Sequence, residues 1–422
     1  MKAAIIGYGK SGAAASRLLK LKGYEEIEIF DDKNENYKNI SEYKDEYDEV
    51  VVSPGIDLNK YKNISGNITS EIELAYNHMD KNAKIIGITG TNGKSTTTFL
   101  TAQILNNAGV KACACGNIGY PFGEAVLDKA DTEVYVIELS SFQIELLKRF
   151  KAVAGCIINV TQDHLDRYGT MDKYYEAKLL LLNFIDKKGL FVTNTDTVIV
   201  NKAILYDFQA RYIDDNFKSF PKLNGNILDF GKFNVDLSKY RLFGKHNITN
   251  LSFALTMADK VCDFKDDVTN LIENLTSMPH RTELVAEIND VRWINDSKAT
   301  NVDSVYTALV SMKKPAILLI GGRDKKSDYR PLADLINQNI SKICYFGEAA
   351  DLIKSQLSSL LKGVEEESYK SLKECVKDLA EKEKDITILL SPACTSFDEF
   401  KSYEDRGYKF KDYILEYTNG GK

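Results

Sequence analysis

Residues 84–98, KIIGITGTNGKSTTT, combine a glycine-rich turn with a lysine and a serine, between a predicted strand and a predicted helix. Isoleucines before the turn favour a buried strand, and the residues after it suit a helix. The N–H groups of such a turn and of the following helix N-terminus bind phosphate. We therefore predict a nucleotide site in which Lys94 contacts the β- and γ-phosphates and the Ser95 hydroxyl binds Mg²⁺. The other expected loop contacts are Gly90, Thr91, Asn92, Gly93 and Thr96.

This loop departs from the usual pattern G-x-x-x-x-G-K-[ST], because Ile88 stands where the first glycine is expected. An ordinary strand–helix turn with a chance Gly-Lys-Ser is the alternative. The strand, the turn and the helix fall in the order that a phosphate site needs, which favours the nucleotide interpretation.

Ionisable residues lie near the C-terminal end of the next predicted strand, at 134–139, and directly after the one at 154–160. Glu138 is suited to bind a metal ion beside the phosphate loop, or is a solvated strand end. His164 lies in TQDHLDRY, residues 161–168, and is either a core histidine or part of a dense ionisable site. Lys178 lies among apolar neighbours of a predicted amphipathic helix, and the pattern alone favours a lysine that extends to solvent.

The N-terminal residues predict a second, smaller nucleotide-like unit. Gly7, Gly9 and Gly12 have the G-x-G-x-x-G spacing, and Asp31 and Asp32 follow after about twenty residues, as in Rossmann-like folds. The segment is too short for a full dinucleotide-binding domain. A small α/β unit that binds another diphosphate is favoured, and an NAD site remains the alternative.

The remainder of the chain alternates strands and helices. Residues 190–240 predict strands and hairpins around Asn224-Gly225, and Pro279 is expected to end a helix at an inter-domain hinge. We predict an α/β protein of three domains: a Rossmann-like unit at 1–80, a central P-loop domain at 81–277 and a C-terminal Rossmann-like domain at 278–422. Cys394 is interpreted as a buried thiol rather than a nucleophile, since no histidine is near in sequence.

Composition limits the functional classes. The chain has 422 residues, a formal net charge of −6 and seven scattered cysteines. The charge argues against nonspecific nucleic-acid binding, and neither a membrane-spanning run nor a signal peptide is recognised. We expect a cytoplasmic protein with reduced thiols and no membrane partner.

Eight motifs together resemble those of the Mur ligases: IGITGTNGKST, ELSSFQIE, NVTQDHLDRY, GKHNITN, PHRTE, NDSKATN, LIGGRDKK and LLSPACTSFDEFKSYEDRG. The first five are typical of the wider superfamily, which includes folylpolyglutamate synthase. The last three are typical of the members that add D-glutamate to UDP-N-acetylmuramoyl-L-alanine. Ile88 is normal for this family, whose loop reads G-T-N-G-K-[ST].

The resemblance implies ATP-dependent amide-bond formation through an acyl phosphate, in peptidoglycan precursor synthesis. It implies that Lys94 holds the γ-phosphate and that Ser95 and Glu138 bind one Mg²⁺. His164 and Lys178 would serve a second metal site, with Lys178 converted by CO₂ to a carbamate, which reverses the interpretation from pattern alone. Two Mg²⁺ ions are expected, and Mn²⁺ is an alternative ion.

The resemblance also implies the substrate contacts. Asn250, Arg281 and Asp296 would bind adenine, phosphate and ribose. The UDP-sugar peptide and the glutamate, the two small-molecule partners of an expected monomer, would be bound by two further sets. The first set is Ser11, Asp31, Asp32, Lys33, Asn117, Ser140 and Gln143, and the second is Lys298, Thr300, Lys325, Ser396 and Tyr403.

Three alternative functions would each have a different sequence signature. A ligase that adds another amino acid would carry a different C-terminal recognition motif. A non-catalytic partner of an amidotransferase would carry a zinc-binding cysteine ribbon. An NAD-dependent oxidoreductase would use Gly7 to Gly12 and would not need Lys94.

Overall fold

The computed structural model describes residues 1–129, 131–242 and 244–419. The chain forms two compact units, Met1–Arg241 with Ile248–Leu275, and Leu242–Asn247 with Thr276–Lys422. Across the described ranges, no helix has both the length and the apolar composition needed to cross a membrane.

The first unit begins with a four-stranded parallel sheet of order β2-β1-β3-β4. Alternate residues of the first strand face two cores, Ala3 and Ile5 on one side and Ala4 and Ile6 on the other. Gly12 is required in the first helix, because a Cβ there would collide with the carbonyl oxygen of Gly7. The elements are β1 (Lys2–Ile6), α1 (Lys10–Leu21), β2 (Glu26–Phe30), a 3₁₀ turn (Ile40–Glu42), β3 (Glu49–Val52), β4 (Ile68–Thr69) and α2 (Glu71–His78).

A six-stranded parallel sheet follows, of order β10-β9-β8-β5-β7-β6, with the strand of the phosphate loop in its interior. Its elements are β5 (Lys84–Thr89), α3 (Lys94–Asn107), β6 (Ala112–Gly116), α4 (Phe122–Asp128), β7 (Val134–Glu138), α5 (Ser141–Ile144), β8 (Ala152–Ile157), α6 (Leu165–Tyr168), α7 (Met171–Leu179), a 3₁₀ turn (Leu180–Phe184), β9 (Ile185–Asn194), α8 (Thr197–Ala203) and β10 (Gln209–Ile213).

Glu73 of α2 joins the N-terminal sheet to this central sheet. Its buried carboxylate accepts hydrogen bonds from the backbone N–H groups of Lys148, Arg149 and Phe150, at 2.6, 3.0 and 2.9 Å. Glu71 on the same helix accepts the N–H of Gly123. Buried N–H groups need such partners, so these two acids fix the helix against the central layer.

A small sheet of order β11-β12-β13-β14 completes the first unit. Its elements are β11 (Lys222–Asn224), β12 (Ile227–Asp229), β13 (Phe233–Asp236), a 3₁₀ turn (Leu237–Lys239), α9 (Lys245–Cys262), β14 (Asp266–Asp267) and a 3₁₀ turn (Thr269–Leu271). The hairpin predicted at Asn224-Gly225 is confirmed, since Asn224 pairs with Ile227.

Two local predictions are wrong. Part of 190–240 was expected to be extended but forms α8, because the Asp196 carboxylate caps its first N–H groups at Val198 and Ile199. No described α-helix ends at Pro279; α9 ends at Cys262 and a short 3₁₀ turn follows. The left-handed φ of 64° at His280 turns the chain there instead.

The second unit contains a sheet of order β15-β16-β20-β17-β18-β19, parallel except for its first pair. Helices α10 to α12 contribute to the core on one face and α13 and α14 to that on the other, which confirms the predicted doubly wound α/β class. The elements are β15 (Glu283–Ile288), β16 (Val291–Asn295), α10 (Val302–Val310), β17 (Ala316–Gly321), a 3₁₀ turn (Arg330–Leu332), α11 (Ala333–Asn339), β18 (Lys342–Phe346), α12 (Ala350–Leu357), β19 (Glu365–Tyr369), α13 (Leu372–Lys382), β20 (Ile386–Ala393) and α14 (Tyr403–Asn419).

Arg406 of α14 is fully buried beneath the loops that follow β16 and β20. Its guanidinium donates to Ser297 Oγ at 2.9 Å, to Ser297 O at 2.8 Å, to Cys394 O at 3.1 Å and to Thr395 O at 3.3 Å. Burial lowers the pKa of Arg406 to about 10. One side chain therefore satisfies the carbonyl groups of two separate loops.

We predict that Arg406→Met lowers the free energy of unfolding by about 2 to 4 kcal/mol, because several buried acceptors lose their donors. Arg330→Ala is the control, since Arg330 is exposed and forms an ion pair with exposed Asp328; its unfolding midpoint should stay close to that of the wild type. Urea denaturation followed by circular dichroism measures both. Equal midpoints for Arg406→Met and the wild type would refute this role.

Candidate active site

The phosphate loop lies between β5 and α3, as the sequence predicts, and two glycines fix its shape. Gly93 has a φ of 81° and a Cβ there would lie 2.5 Å from Asn250 Oδ1. A Cβ on Gly90 would lie 3.2 Å from the Cβ of Ile158. Ile88, at the position of the missing glycine, is fully buried in β5. The loop needs glycine where it meets neighbouring chain segments and not at position 88.

Two lysines donate hydrogen bonds to consecutive carbonyl groups of this loop. Lys94 Nζ lies 2.8 Å from Thr91 O, and Lys178 Nζ lies 2.8 Å from Gly90 O. Ser95, which follows Lys94 in the first turn of α3, is buried. The predicted phosphate-binding lysine and the lysine of α7 thus meet at one loop.

Lys178 is 1% exposed, so it does not extend to solvent as the pattern alone suggests. Its ammonium lies 4.6 Å from the centre of the Tyr174 ring. Burial, followed by the charge of Lys94, lowers the pKa of Lys178 to about 7, while Asp163 and Glu138 act in the opposite direction. Near neutral pH a large share of this amine is therefore uncharged and nucleophilic.

Glu138 lies at the end of β7, the strand that pairs with β5, opposite Ile88. Asn117 Nδ2 donates to its Oε1 at 2.9 Å. Its Oε2 is buried and has no hydrogen-bond partner in the described part of the chain. A carboxylate oxygen is costly to bury without a partner. This atom is therefore suited to bind a metal ion that arrives together with the nucleotide.

His164 is exposed and lies at the N-terminus of α6 with a left-handed φ of 51°. Its ring lies 4.9 Å from the ring of Phe142 and 6.1 Å from that of Tyr174. Tyr174 also hydrogen-bonds to Thr91 Oγ1 at 3.2 Å. This tyrosine therefore connects the predicted histidine with the phosphate loop and with Lys178.

No group of three or more His, Cys, Asp or Glu in the described ranges is arranged to hold a metal ion. The predicted set contains one carboxylate and one imidazole, with a hydroxyl and a modified lysine as the other ligands. The phosphate oxygens of a nucleotide would complete such a set.

The acidic residues predicted for the UDP-sugar accept hydrogen bonds from nearby backbone N–H groups and from a tyrosine hydroxyl. Asp31 accepts the N–H of Tyr8 at 2.6 Å and that of Lys33 at 2.8 Å. Asp32 accepts the N–H of Ile40 at 2.8 Å and the Tyr61 hydroxyl at 2.8 Å. Asp31 therefore orders the glycine loop beside Ser11, and Lys33 is exposed at its edge.

Ser140 and Gln143, also predicted for the UDP-sugar, form a reciprocal cap on α5. The N–H of Gln143 donates to Ser140 Oγ at 3.3 Å, and the N–H of Ser140 donates to Gln143 Oε1 at 2.9 Å. The third member, Asn117, is exposed. These three lie after β7 and β6, neighbouring strands whose carboxyl ends meet at one edge of the sheet.

In the second unit, the residues predicted for glutamate follow three adjacent parallel strands. Lys298 and Thr300 come after β16, Ser396 after β20 and Lys325 after β17. Lys298 Nζ lies 5.1 Å from the centre of the Tyr403 ring, and Lys325 is exposed. The structure therefore brings these residues to the edge where ligands of doubly wound sheets bind.

Asp296 and Arg281 lie in this unit as well. Asp296 accepts Ser391 Oγ at 2.8 Å and the N–H of Thr282 at 3.1 Å. Burial raises the pKa of Asp296 to about 7, against the lowering effects of these hydrogen bonds and of Arg281. Asn250, in the first unit, is buried and accepts the Thr97 hydroxyl at 3.4 Å.

Cys394 is a buried thiol, in agreement with the sequence. It lies 3.0 Å from the Tyr329 hydroxyl, and burial raises its pKa to about 11. A nucleophilic cysteine requires the opposite shift.

The sequence analysis missed three residues that organise these sites: Asn159, Tyr174 and Arg406. Tyr174 lies one helical turn before Lys178, a spacing that places both on one face of α7 and was available from the sequence. Asn159 follows a strand end and Arg406 lies within a helix, and only the folded chain reveals their partners.

Comparisons with known proteins show which family this chain resembles. The model of the Mur ligase middle domain matches residues 88–258, and that of the Mur ligase, glutamate ligase domain matches residues 280–394. A UDP-N-acetylmuramoylalanine–D-glutamate ligase of Caldicellulosiruptor saccharolyticus is 37% identical over 98% of both chains. One of Fusobacterium nucleatum is 36% identical over 98% of this chain and 99% of its own.

Among solved structures, the MurF ligase of Thermotoga maritima in complex with ADP covers 91% of this chain and 97% of its own, with a TM-score of 0.60 at 17% identity. That likeness establishes a shared fold. The match to relatives that are more than a third identical over nearly the full length is stronger evidence than a shared fold. Together with the phosphate loop and the strand-end residues, it shows that the chain belongs to the Mur ligase family.

Proposed function

We propose that this chain is an ATP-dependent ligase that joins D-glutamate to UDP-N-acetylmuramoyl-L-alanine and releases ADP and phosphate. The observation that carries the proposal is the match, at 37% identity over 98% of both chains, to a relative named for this reaction. The product is a precursor of peptidoglycan. The ATP requirement favours the cytoplasm as its site of action, and we expect small-molecule substrates and a monomeric enzyme.

The reaction has two chemical steps. The terminal carboxylate of the UDP-sugar peptide attacks the γ-phosphorus of ATP, and ADP leaves. The amine of glutamate then attacks the acyl phosphate, and phosphate leaves as the amide bond forms. Lys94 neutralises charge on the transferred phosphoryl group, and most of the catalysis is positioning and electrostatic stabilisation.

Mg²⁺ would be held by the Ser95 hydroxyl and Glu138, and a second ion by His164 and the carbamate of Lys178; Mn²⁺ would suit the same oxygen ligands. The unpartnered Oε2 of Glu138 supports the first assignment. When bound, the ions would neutralise phosphate charge during transfer. Glu138 itself is held in place by the amide of Asn117.

Lys178 is proposed to react with CO₂ as the neutral amine, giving a carbamate and a proton. Its burial and its pKa of about 7 support this step, because an ammonium group cannot attack CO₂. The carbamate keeps one N–H, which can continue to donate to Gly90 O, and gains two oxygens that suit Mg²⁺.

The remaining roles are proposed from the family resemblance. Asn250, Arg281 and Asp296 are assigned to adenine, phosphate and ribose. The strand-end lysines Lys298 and Lys325 suit a dicarboxylate substrate. We also propose the UDP-sugar contacts and the three domains, at 1–80, 81–277 and 278–422, with the residues and bounds that the sequence predicts. The described residues end at 419.

The first test of the function is substrate choice. Phosphate release is measured with ATP, Mg²⁺ and UDP-N-acetylmuramoyl-L-alanine, while D-glutamate, L-glutamate, L-lysine and meso-diaminopimelate are offered in turn. D-Glutamate should give turnover at least about 100-fold above the others, because L-glutamate presents the same charged groups in mirror-image positions and the other two carry an additional amine, so charged groups of the site stay unpaired with each of them. A preference for any other amino acid would reject the assignment.

The second test concerns Lys178. With ¹³C-labelled bicarbonate, we expect a carbamate signal by NMR at about pH 8 that weakens strongly at about pH 6, below the pKa of the amine, where it is protonated. The signal should be absent in Lys178→Ala and retained in Lys173→Ala, which removes an exposed lysine of the same helix. Loss of the signal in both variants, or in neither, would contradict the proposal.

A further inference from the structure

Asn159 lies beside the phosphate loop, just after β8. Its backbone oxygen accepts the N–H of Thr91 at 2.9 Å, which extends the pairing of β5 and β8 into the loop. Its side-chain Oδ1 accepts the N–H of Asn92 at 2.9 Å and that of Thr91 at 3.2 Å. Its Nδ2 donates to Asn92 O at 3.2 Å. One residue therefore binds the N–H groups of two consecutive loop residues and the carbonyl oxygen of the second.

The planarity of the peptide bond makes these contacts directional. In a trans peptide the C=O and the N–H point in opposite directions. The bond from Asn159 Nδ2 to Asn92 O therefore turns the N–H of Gly93 away from Asn159. Gly93 directly precedes α3, whose N-terminus is the end of a helix that attracts phosphate.

The two lysines act on the same series of peptides. Lys178 binds Gly90 O and Lys94 binds Thr91 O. The opposite ends of these peptides are the N–H groups of Thr91 and Asn92, and both are bound by Asn159. The orientations of three successive peptide planes are thus determined, and Asn159 contacts every one of them.

Only a carboxamide provides this set of contacts. Two N–H groups require an acceptor and Asn92 O requires a donor, so the orientation of the amide follows from its neighbours. A carboxylate would lose the donor and add a negative charge near the phosphates. Alanine would lose all three side-chain bonds.

We propose that Asn159 is a positioning residue of the nucleotide site: by holding the peptides of Thr91 and Asn92, it orients the N–H of Gly93, next to the N-terminus of α3, toward the phosphates of ATP and ADP. The inference rests on the proposed use of ATP. It does not depend on which amino acid is added.

The experiment measures ADP binding with Mg²⁺ by isothermal titration calorimetry, without sugar substrate or amino acid. We expect Asn159→Ala to weaken ADP binding and raise KM for ATP about tenfold, with KM for the other two substrates unchanged. Asn194→Ala is the matched control. Asn194 ends the neighbouring strand β9, and its Oδ1 accepts the N–H of Asp196 at 3.0 Å, away from the loop. It should bind ADP as the wild type does.

Thermal unfolding establishes that each variant is folded at the temperature of the titration. If Asn159→Ala does not fold, Asn159→Ser retains a hydroxyl acceptor and should show a smaller loss in the same direction. Unchanged ADP affinity in a folded Asn159 variant, or an equal loss in Asn194→Ala, would overturn the proposal. A wild-type chain that binds ADP but does not use D-glutamate would reject the proposed function alone.

Discussion

The hydrogen bond from the buried amine of Lys178 to Gly90 O is the interaction on which the candidate active site depends. It requires that α7 lie against the phosphate loop, and this contact removes Lys178 from water. Burial is what lowers its pKa toward neutrality, so one packing arrangement orders the loop and makes the lysine reactive. Tyr174 reinforces it, since its ring covers the amine and its hydroxyl contacts Thr91. Through this contact, Lys178 and the phosphate loop become parts of one structure.

In the second unit, a different buried side chain fixes the loops of the candidate site. The residues predicted to bind its substrate follow separate strands. The short loops that carry these residues are stable only if the buried carbonyl groups of the loops have hydrogen-bond donors. Arg406 provides that partner for the loops after β16 and β20, from the first turns of α14. The chain places its polar interior groups where they fix the backbone of a site, and leaves lysines such as Lys325 exposed at its edge.

Much of this architecture follows from the sequence, because the information is local. Isoleucine runs, glycines and capping residues predict β5, the phosphate loop and α3, and Asn-Gly predicts the hairpin of β11 and β12. The sequence does not show how deeply a side chain is buried or which groups it contacts. Lys178 has the pattern of a solvent-exposed lysine, since helical periodicity does not report which surface covers that face. A ligand contact of Asp31 and Asp32 stays a prediction, and the sequence did not reveal that their carboxylates bind backbone N–H groups and a tyrosine hydroxyl. At Asp196 the sequence does contain the information, since an aspartate that can cap a helix is recognisable there. The alternating pattern of the neighbouring residues nevertheless led to the prediction of a strand.

In the proposed reaction, the loop, its two lysines and Glu138 promote transfer of a phosphoryl group from ATP to a carboxylate before the amide bond forms. It is tested most directly by labelling both oxygens of the terminal carboxylate of UDP-N-acetylmuramoyl-L-alanine with ¹⁸O and analysing the released phosphate by mass spectrometry. An acyl phosphate requires that one labelled oxygen bridge carbon and phosphorus and leave with phosphorus when the amine attacks. We expect one ¹⁸O atom in each phosphate released during amide formation. Phosphate without the label, with amide formed at the normal rate, would contradict it.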